Sequence, residues 1–228
     1  MRVNNVKKIL KKILTNAFCV KFFNLLHIKY NNKKSNQVKI NSLVRCKSKI
    51  SFSKKSINND VFVDSNCVIK KLTVQVFGNN NKIIIEKDCY IADLTLCIED
   101  DNNTVVIGEN SKLCGAIKLS CIEGTKITIG EDCLFSSEID VRTGDGHAIL
   151  DENNTRINPS KDVIIDDHVW VGYRAMLLKG SHIHKNSIVG AGAAVTGDIG
   201  ESNVAVAGAP AKVVKRNINW HFDRDFIK

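Results

Sequence analysis

Apolar residues recur at every sixth position between Asp162 and Gly192. The series is Ile165, Val171, Leu177, Ile183 and Val189, and small or β-branched residues follow several of them four positions later, at Val169, Ala175, Ser187 and Ala193. A helix repeats near 3.6 and a strand at 2, so a spacing of six fits neither. It predicts short strand-and-turn units, three of which make one triangular coil of about 18 residues. The pattern therefore indicates an all-β fold, a parallel β-helix built from hexapeptides.

The preceding part of the chain repeats with a longer period. Its copies are VDSNCVI from Val63, IEKDCYI from Ile85, IGENSKL from Ile107 and IGEDCLF from Ile129. This longer period predicts a coil of the same kind with about four extra residues at one corner. We place these extra residues in the polar turns at 78–82, 100–104 and 123–126. The two periods together predict seven or eight coils from about residue 38 to residue 208.

One coil is interrupted. The distance from Ile129 to Ile165 equals two coils of about 18 residues. The apolar residues that a second regular coil would need near 147–153 are missing. We therefore predict a single coil with an inserted loop over about 142–161. A long loop on a regular scaffold usually carries function.

The N-terminal arm differs in charge from the rest. Residues 1–60 hold 15 of the 33 Lys and Arg residues but one of the 24 Asp and Glu residues, which gives +14 there and −5 elsewhere. We divide the chain into a basic arm and linker (1–37), the solenoid (38–210) and a C-terminal tail (211–228). Helical spacing predicts an amphipathic helix over 2–28, and 29–36 is expected to be a polar linker. The helix is expected to pack against the solenoid end or a neighbouring subunit, or else to lie on an anionic membrane surface.

No apolar run reaches the roughly 18 residues of a membrane span. Lysines interrupt the segment 1–28, which does not resemble a signal peptide. The expected location is cytoplasmic, and the alternative is a peripheral position at the inner face of the membrane. The eight cysteines form no CxxC pair, and Cys67, Cys89 and Cys133 occupy equivalent repeat positions. We expect them to be small core residues in a reducing compartment.

Four segments resemble the hexapeptide-repeat O-acetyltransferases, in particular those acting on capsular polysaccharide, including polysialic acid. They are RTGDGHAILD, INPSKDVIIDDHVWVGYRAMLLKG, IVGAGAAVTGDI and AVAGAPAKVVKRNINW, and the match covers roughly 60–217. The resemblance implies a left-handed β-helix, a homotrimer, and acetyl-CoA bound in a groove between adjacent subunits. It implies no nucleic-acid partner.

The resemblance marks His147 as the general base. A neutral imidazole near pH 7 suits removal of a proton from a sugar hydroxyl. Asp145 or Asp140 is expected to orient the imidazole or hold the acceptor, and Arg142 is a further acceptor candidate. Trp170 lies one position off the apolar series, so it should point outward, either to border the substrate site or to pack between subunits. The alkoxide-like oxygen would attack the thioester directly in a ternary complex, with Trp170 or backbone N–H groups holding the oxyanion.

The resemblance also implies a cofactor wall. Its members are Gly172, Tyr173, Gly190, Ala191 and Ala193 for the pantetheine arm, with Lys212 and Arg216 for the phosphates and Thr196 as an added contact near them. Small residues let the backbone approach a thin ligand, although some of these glycines could simply turn corners. Relatives carry a lysine after the threonine, whereas this chain has Gly197.

Three alternatives remain open at this point. The first is an acetyltransferase for a small sugar or a lipid-linked sugar precursor. The second is a non-enzymatic scaffold. The third is a zinc hydratase of the same fold using His168, His182 and His184, which is disfavoured because two histidines five positions apart are absent. No metal is therefore expected.

Overall fold

The structure, a computed structural model, describes residues 17–31 and 35–226, and they form a parallel β-solenoid preceded by one helix. The helix is α1 (Ala17–His27). The strands are β1 (Ile28–Tyr30), β2 (Gln37–Ile40), β3 (Ser48–Phe52), β4 (Asp60–Val63), β5 (Val68–Val76), β6 (Lys82–Ile85), β7 (Tyr90–Ile98), β8 (Thr104–Ile107), β9 (Lys112–Cys121), β10 (Lys126–Ile129), β11 (Leu134–Phe135), β12 (Ile139–Arg142), β13 (Val163–Ile165), β14 (Trp170–Val171), β15 (Met176–Leu177), β16 (His182–Ile183), β17 (Ile188–Val189), β18 (Ala194–Val195), β19 (Ala205–Gly208) and β20 (Ala211–Lys215).

Three ladders of parallel strands make the three faces of the solenoid. Face A contains β11, β14, β17 and β19. Face B contains β12, β15 and β18. Face C contains β2, β4, β6, β8, β10, β13 and β16 in succession. In the N-terminal half, the long strands β5, β7 and β9 run across faces A and B without a break, and β9 pairs with both β11 and β12.

The strand registers confirm both predicted periods. Asp60 pairs with Lys82, as the longer repeat in the N-terminal half of the solenoid predicts. Ile165 pairs with Ile183, as the coil of about 18 residues in the hexapeptide segment predicts. Ile129 pairs directly with Ile165, so the whole segment between them forms one coil. The predicted interruption is thus present, and the loop occupies residues 143–162 between β12 and β13.

Alternate residues of each strand point into the solenoid. The inward-facing aliphatic residues fill one continuous core. Cys67, Cys89 and Cys133 lie in this core as free thiols, which confirms their prediction as small core residues. Each thiol donates to a carbonyl of the next coil, at Glu86, Gly108 and Asp166 respectively. Burial raises the pKa of Cys133 to about 12, so its thiol stays protonated.

A ladder of buried asparagines runs through the corner that holds the extra residues, and the sequence analysis missed it. Asn59 donates its amide to Asn36 Oδ1 at 2.8 Å, Asn81 to Asn59 at 2.9 Å, and Asn103 to Asn81 at 3.0 Å. Thr125 ends the ladder through its backbone N–H. A buried amide is stable only when it is hydrogen-bonded, and here the asparagine of each coil accepts the hydrogen bond that the asparagine amide of the next coil donates. The recurrence of asparagine at the longer period was the signal available in the sequence.

The N-terminal boundary of the solenoid differs from the prediction, whereas its last parallel strand ends at Gly208, close to the predicted end. Ile28–Tyr30, which overlaps the expected linker, pairs in parallel with β3, so the solenoid begins at Ile28 rather than at residue 38. This strand is too short to produce a detectable period. The expected tail begins with β20, which pairs antiparallel with β19.

The predicted helix over 2–28 is described only from Ala17, and its first part lies outside the described residues. Val20 is buried, and Asn24 bonds both Ser42 O and Val44 N of the first coil at 3.0 Å. The described part of α1 therefore packs on the solenoid end. Phe23, Leu25 and Leu26 remain exposed. Within the described part of the chain, no helix reaches the length and hydropathy of a bilayer-spanning segment.

Candidate functional site

The inserted loop is closed at its neck by backbone contacts. Lys161 N donates to Thr143 O at 2.8 Å, and buried Thr143 accepts from Ile122 N through its hydroxyl. A Cβ at Gly144 would collide with Ser160 Oγ and lie 2.5 Å from Ile122 Cδ1, so a larger residue would force these side chains to shift. The loop thus leaves the solenoid, at the corner between faces B and C, through a fixed base.

Asn158 organises the interior of the loop. Its side chain is 6% exposed. It donates to His147 O and to Asp145 Oδ2, both at 2.8 Å, and accepts from Ile149 N at 2.7 Å. One carboxamide therefore fixes the backbone at and just after His147 and also holds the side chain of Asp145, two residues before it. Sequence analysis missed Asn158 because this role depends on contacts between non-adjacent positions of an irregular segment, which leave no period.

Asp145 is an anchor of the loop. It accepts from Lys179 Nζ at 2.5 Å as well as from Asn158, and these contacts hold the pKa of its carboxyl below the ordinary value. Both of these contacts are made by Oδ2, and no hydrogen bond joins Asp145 to the imidazole of His147 among the described residues. The expected role of Asp145, orienting the imidazole or holding the acceptor, stays a prediction.

A second ion pair ties the loop to the preceding coil. Arg156 Nη1 lies 2.7 Å from Glu123 Oε1, and Ser160 N donates to the same carboxylate. Arg156 and Ser160 together lower the pKa of Glu123 to about 2. The carboxylate therefore stays charged, and the tether stays intact, across the neutral range.

The imidazole of His147 projects from this rigid loop into solvent. Among the described residues it has no hydrogen-bond or ionic partner, so both ring nitrogens are open to a substrate. The loop continues as a small hairpin in which Leu150 bridges Arg156, and its tip exposes Ile149, Leu150 and Ile157, each by at least 50%. An exposed aliphatic tip on a rigid loop is typical of a surface that contacts another molecule.

The two acceptor candidates lie on face B and bind each other. Arg142 forms a bidentate pair with Asp140, at 2.8 Å and 2.7 Å. Asp140 also lines a depression of about 530 Å³ together with Thr95, Lys118 and Glu138. A larger cavity of about 710 Å³ lies beside α1 at the N-terminal end, and none of the predicted site residues lines it.

Trp170 lies on face A and points outward as predicted, with 39% of its surface exposed. Its ring centroid lies 6.2 Å from that of Trp220, and Trp220 stacks on His168 at 4.3 Å. Trp220 Nε1 also donates to His168 O at 2.8 Å. The C-terminal segment therefore builds an aromatic cluster beside Trp170, which the sequence did not indicate.

Within one chain the predicted catalytic residues do not meet. His147 emerges at the corner between faces B and C, while Trp170 lies on face A. No hydrogen bond, ion pair or ring contact joins these two described side chains. The chain therefore presents two separate halves of the predicted site.

Comparison with known proteins identifies the type of solenoid. A polysialic acid O-acetyltransferase of Neisseria meningitidis is 32% identical over 164 residues, which span 72% of this chain and 75% of that protein. The chain belongs to the hexapeptide-repeat, acetyl-CoA-dependent O-acetyltransferases. The non-enzymatic scaffold is thereby excluded. No family model matches the chain.

Further relatives agree with this assignment. A polysialic acid O-acetyltransferase of Escherichia coli O1:K1 is 41% identical over 95 residues, although the match spans 41% of this chain and 31% of that protein. The crystal structure of the polysialic acid O-acetyltransferase OatWY is 30% identical, with a TM-score of 0.69, and covers 86% of this chain and 88% of that one. The structure of the polySia-specific acetyltransferase NeuO gives a TM-score of 0.66 at 26% identity, covering 88% and 84%. The fold is the left-handed β-helix that the resemblance implied.

The residues expected to bind acetyl-CoA differ in exposure and packing in this acetyltransferase. Tyr173 and Ala191 are exposed at the corner between faces A and B, and Tyr173 donates to Glu138 at 2.9 Å. Ala193 is an error of the prediction, because its side chain is buried and its N–H and C=O both bond neighbouring backbone. A Cβ on Gly172 would lie 2.7 Å from Ala191 N, so this glycine is needed for coil stacking.

The remaining cofactor candidates lie near the end of the acetyltransferase. A Cβ on Gly190 would come within 3.1 Å of Val206 O, which again indicates a packing role. Thr196 and Lys212 are exposed. Arg216 already pairs with Glu201 at 2.9 Å. Within residues 17–31 and 35–226, Lys212 has no carboxylate partner, so it is the freer of the two cations.

Proposed function

We propose that this enzyme transfers the acetyl group of acetyl-CoA to a hydroxyl of an acidic surface polysaccharide, with polysialic acid as the first candidate. The observation that carries this proposal is the unpartnered imidazole of His147 among the described residues, held at the base of a rigid loop in a chain whose relatives include polysialic acid O-acetyltransferases. A solvent-facing histidine without a structural contact is available for chemistry.

His147 acts as general base in the proposed reaction. Its neutral imidazole takes the proton of the sugar hydroxyl as the hydroxyl oxygen attacks the thioester carbonyl. The carbon–sulfur bond then breaks, the acetyl ester forms, and the departing thiolate receives the proton from the imidazolium. No acyl-enzyme is formed. A base of this kind contributes about 10² to 10⁴-fold to the rate.

Face B offers a path for an extended acidic acceptor. Its outward positions stack in register from Lys49 through Thr73, Thr95 and Lys118 to Asp140. Four coil steps at about 4.8 Å each separate the two ends, or roughly 19 Å.

The N-terminal end of this path is basic. Its exposed cations are Arg45, Lys47, Lys49, Lys54 and Lys55, and the described residues offer them no carboxylate partner. Unpaired cations on a surface attract a polyanion and raise its local concentration. A polyanionic chain lying along face B would therefore extend from these cations towards Arg142 and the loop. The acceptor assignment of Asp140 and Arg142 belongs to this proposal.

The complete site is proposed to form between copies of the chain, in a homotrimer. Two observations support this assembly. His147 and Trp170 occupy different sides of one solenoid, and the tip residues Ile149, Leu150 and Ile157 expose apolar surface that a neighbouring copy would cover. In this arrangement the loop of one copy reaches Trp170 of the next, and acetyl-CoA lies between them against Tyr173 and Ala191, with Lys212 near its phosphates.

A thiol-release assay tests the base. Wild-type enzyme, acetyl-CoA and polysialic acid should release free coenzyme A, and His147→Ala should reduce turnover about 10² to 10⁴-fold while acetyl-CoA still binds. His221→Ala, which removes another exposed histidine, is the matched control and should keep wild-type turnover. Undiminished turnover in His147→Ala would refute the assignment.

Mixed oligomers test the shared site. Chains carrying His147→Ala and chains carrying Trp170→Ala should each be nearly inactive alone. If the loop of one copy serves its neighbour, random mixing restores an intact pair at about a quarter of the sites. If both residues act within one chain, mixing restores no activity.

Two finer points remain proposals. A galactoside O-acetyltransferase of Lactococcus lactis is 35% identical over 108 residues, 50% of its length, so a small-sugar acceptor is the second candidate. An acceptor panel of polysialic acid, neutral polysaccharide and free galactosides separates the two, and NMR then locates the new ester. Peripheral membrane contact through residues 2–28 is favoured by the exposed Phe23, Leu25 and Leu26 of α1, and vesicle flotation with anionic lipid tests it.

A further inference from the structure

Two histidines and two aspartates converge on face C, away from the residues assigned to acetyl transfer. His182 and His184 flank the inward-facing Ile183, so both rings point outward, with their centroids 3.9 Å apart. Asp166 follows β13 in the coil before, and Asp198 bridges His182 from the coil after. Three successive coils therefore contribute to one cluster.

One carboxylate is approached by both imidazoles. His182 Nε2 lies 3.0 Å from Asp166 Oδ1, and His184 Nδ1 lies 3.6 Å from Asp166 Oδ2. Potential ligand atoms of these three residues all lie within 4.8 Å of one another. In a tetrahedral zinc site with bonds of about 2.0 to 2.1 Å, neighbouring ligand atoms are about 3.3 Å apart. The separation between His182 Nε2 and Asp166 Oδ1, 3.0 Å, is close to that value, while His184 Nδ1 lies 3.6 Å from the second oxygen of the same carboxylate.

Asp198 supplies the outer carboxylate that such a site needs. His184 Nε2 lies 2.7 Å from Asp198 Oδ1, whose position is fixed in turn by Gly200 N at 2.7 Å. A proton held on Nε2 by Asp198 leaves the lone pair of Nδ1 directed towards Asp166. Metal-binding histidines commonly donate their second ring nitrogen to a carboxylate in this way, which fixes both tautomer and ring orientation.

We propose that Asp166, His182 and His184 bind a divalent transition metal, with Zn²⁺ as the best match, and that Asp198 positions His184. Two imidazoles and a carboxylate suit Zn²⁺, and the partial exposure of all three side chains leaves a fourth position for water and a path for entry. The bound ion cross-links neighbouring coils near the C-terminal end of the solenoid. This proposal is independent of the acetyl-transfer chemistry and goes beyond the sequence analysis, which expected no metal.

Isothermal titration of the tag-free, full-length protein with ZnCl₂ tests the site. The wild type should bind one Zn²⁺ per chain, and its unfolding temperature should rise with zinc concentration. His182→Ala/His184→Ala should abolish both effects. Asp198→Asn, which keeps all three ligands, should weaken binding about 10 to 100-fold. His221→Ala, which removes the imidazole of the exposed His221–Asp223 pair, should bind like the wild type.

X-ray absorption of the zinc-loaded protein gives a second readout that does not depend on how well the variants fold. Nitrogen and oxygen ligands at about 2.0 to 2.1 Å, without sulfur at about 2.3 Å, support the site. Sulfur ligation would place the metal on the cysteines and overturn the proposal. Absence of zinc binding by the wild type, or retained binding in the double variant, would overturn it equally.

Discussion

Replacing Asn158 by alanine should reduce acetyl transfer strongly while leaving the solenoid folded. The side chain makes three short hydrogen bonds in the loop, to His147 O, to Ile149 N and to Asp145, and it accepts a fourth, longer one of 3.3 Å from Arg156 Nε. Two of these contacts fix the backbone at the carbonyl of the proposed base and at Ile149. The substitution removes all four at once without touching the imidazole itself.

The expected size of the effect follows from these contacts. A hydrogen bond between neutral groups contributes about 0.5 to 1.5 kcal/mol, and one to a charged group about 1.5 to 3 kcal/mol. The three shorter bonds therefore sum to roughly 2.5 to 6 kcal/mol of local stabilisation. Lys179 continues to hold Asp145, and the core lies outside the loop, so global unfolding should change little. A base displaced by about 1 Å can lose 10²-fold in rate, so we expect kcat/KM to fall by about that factor.

Thiol release with saturating acetyl-CoA measures the rate, and thermal unfolding followed by circular dichroism measures the fold. Asn153→Ala is the matched control, since Asn153 is exposed in the same loop and its side chain has no polar partner among the described residues. Wild-type kcat/KM in Asn158→Ala would refute the argument that this amide positions His147. So would a loss of activity that accompanies unfolding of the whole solenoid.

Two further predictions concern packing and pH. Gly172→Ala should destabilise the fold by about 1 to 3 kcal/mol because its Cβ meets Ala191 N at 2.7 Å, whereas Gly197→Ala, with no atom within 4 Å, should stay within about 0.5 kcal/mol in denaturant titrations. The pKa of Glu123 is lowered from 4.5 to about 2, so its ion pair with Arg156 contributes stability that is complete above pH 4.5 and lost as pH falls towards 2. The difference in unfolding free energy between wild type and Glu123→Gln should accordingly be constant above about pH 5 and shrink below pH 4.5, and a difference that grows on acidification would contradict the assignment.

The regular part of the fold was predictable because the coil is short and each repeat obeys the same steric rule. The two periods read from the apolar positions reappear directly as strand registers, and the break between Ile129 and Ile165 reappears as the loop. Boundary elements were not predictable in this way. Ile28–Tyr30 is too short, and β20 departs from the parallel pattern, so neither leaves a period in the sequence.

The candidate site was predictable only in part, because motifs identify residues but not their partners. His147 and Trp170 emerged from the motifs, while the partners Asn158 and Trp220 depend on contacts across an irregular loop and a terminal segment. Ala193 shows the opposite error. It belongs to a glycine-alanine run that looked suitable for a ligand, yet its position in the coil turns it inward.

The antiparallel course of β20 limits how the rod can grow. A parallel solenoid leaves strand edges at its ends, and an unpaired edge is a template on which another molecule can add strands. By folding back along β19, β20 occupies the edge of face A that a further coil would otherwise extend. Shortening the protein before Ala211 would uncover that edge and favour end-to-end filaments over discrete particles.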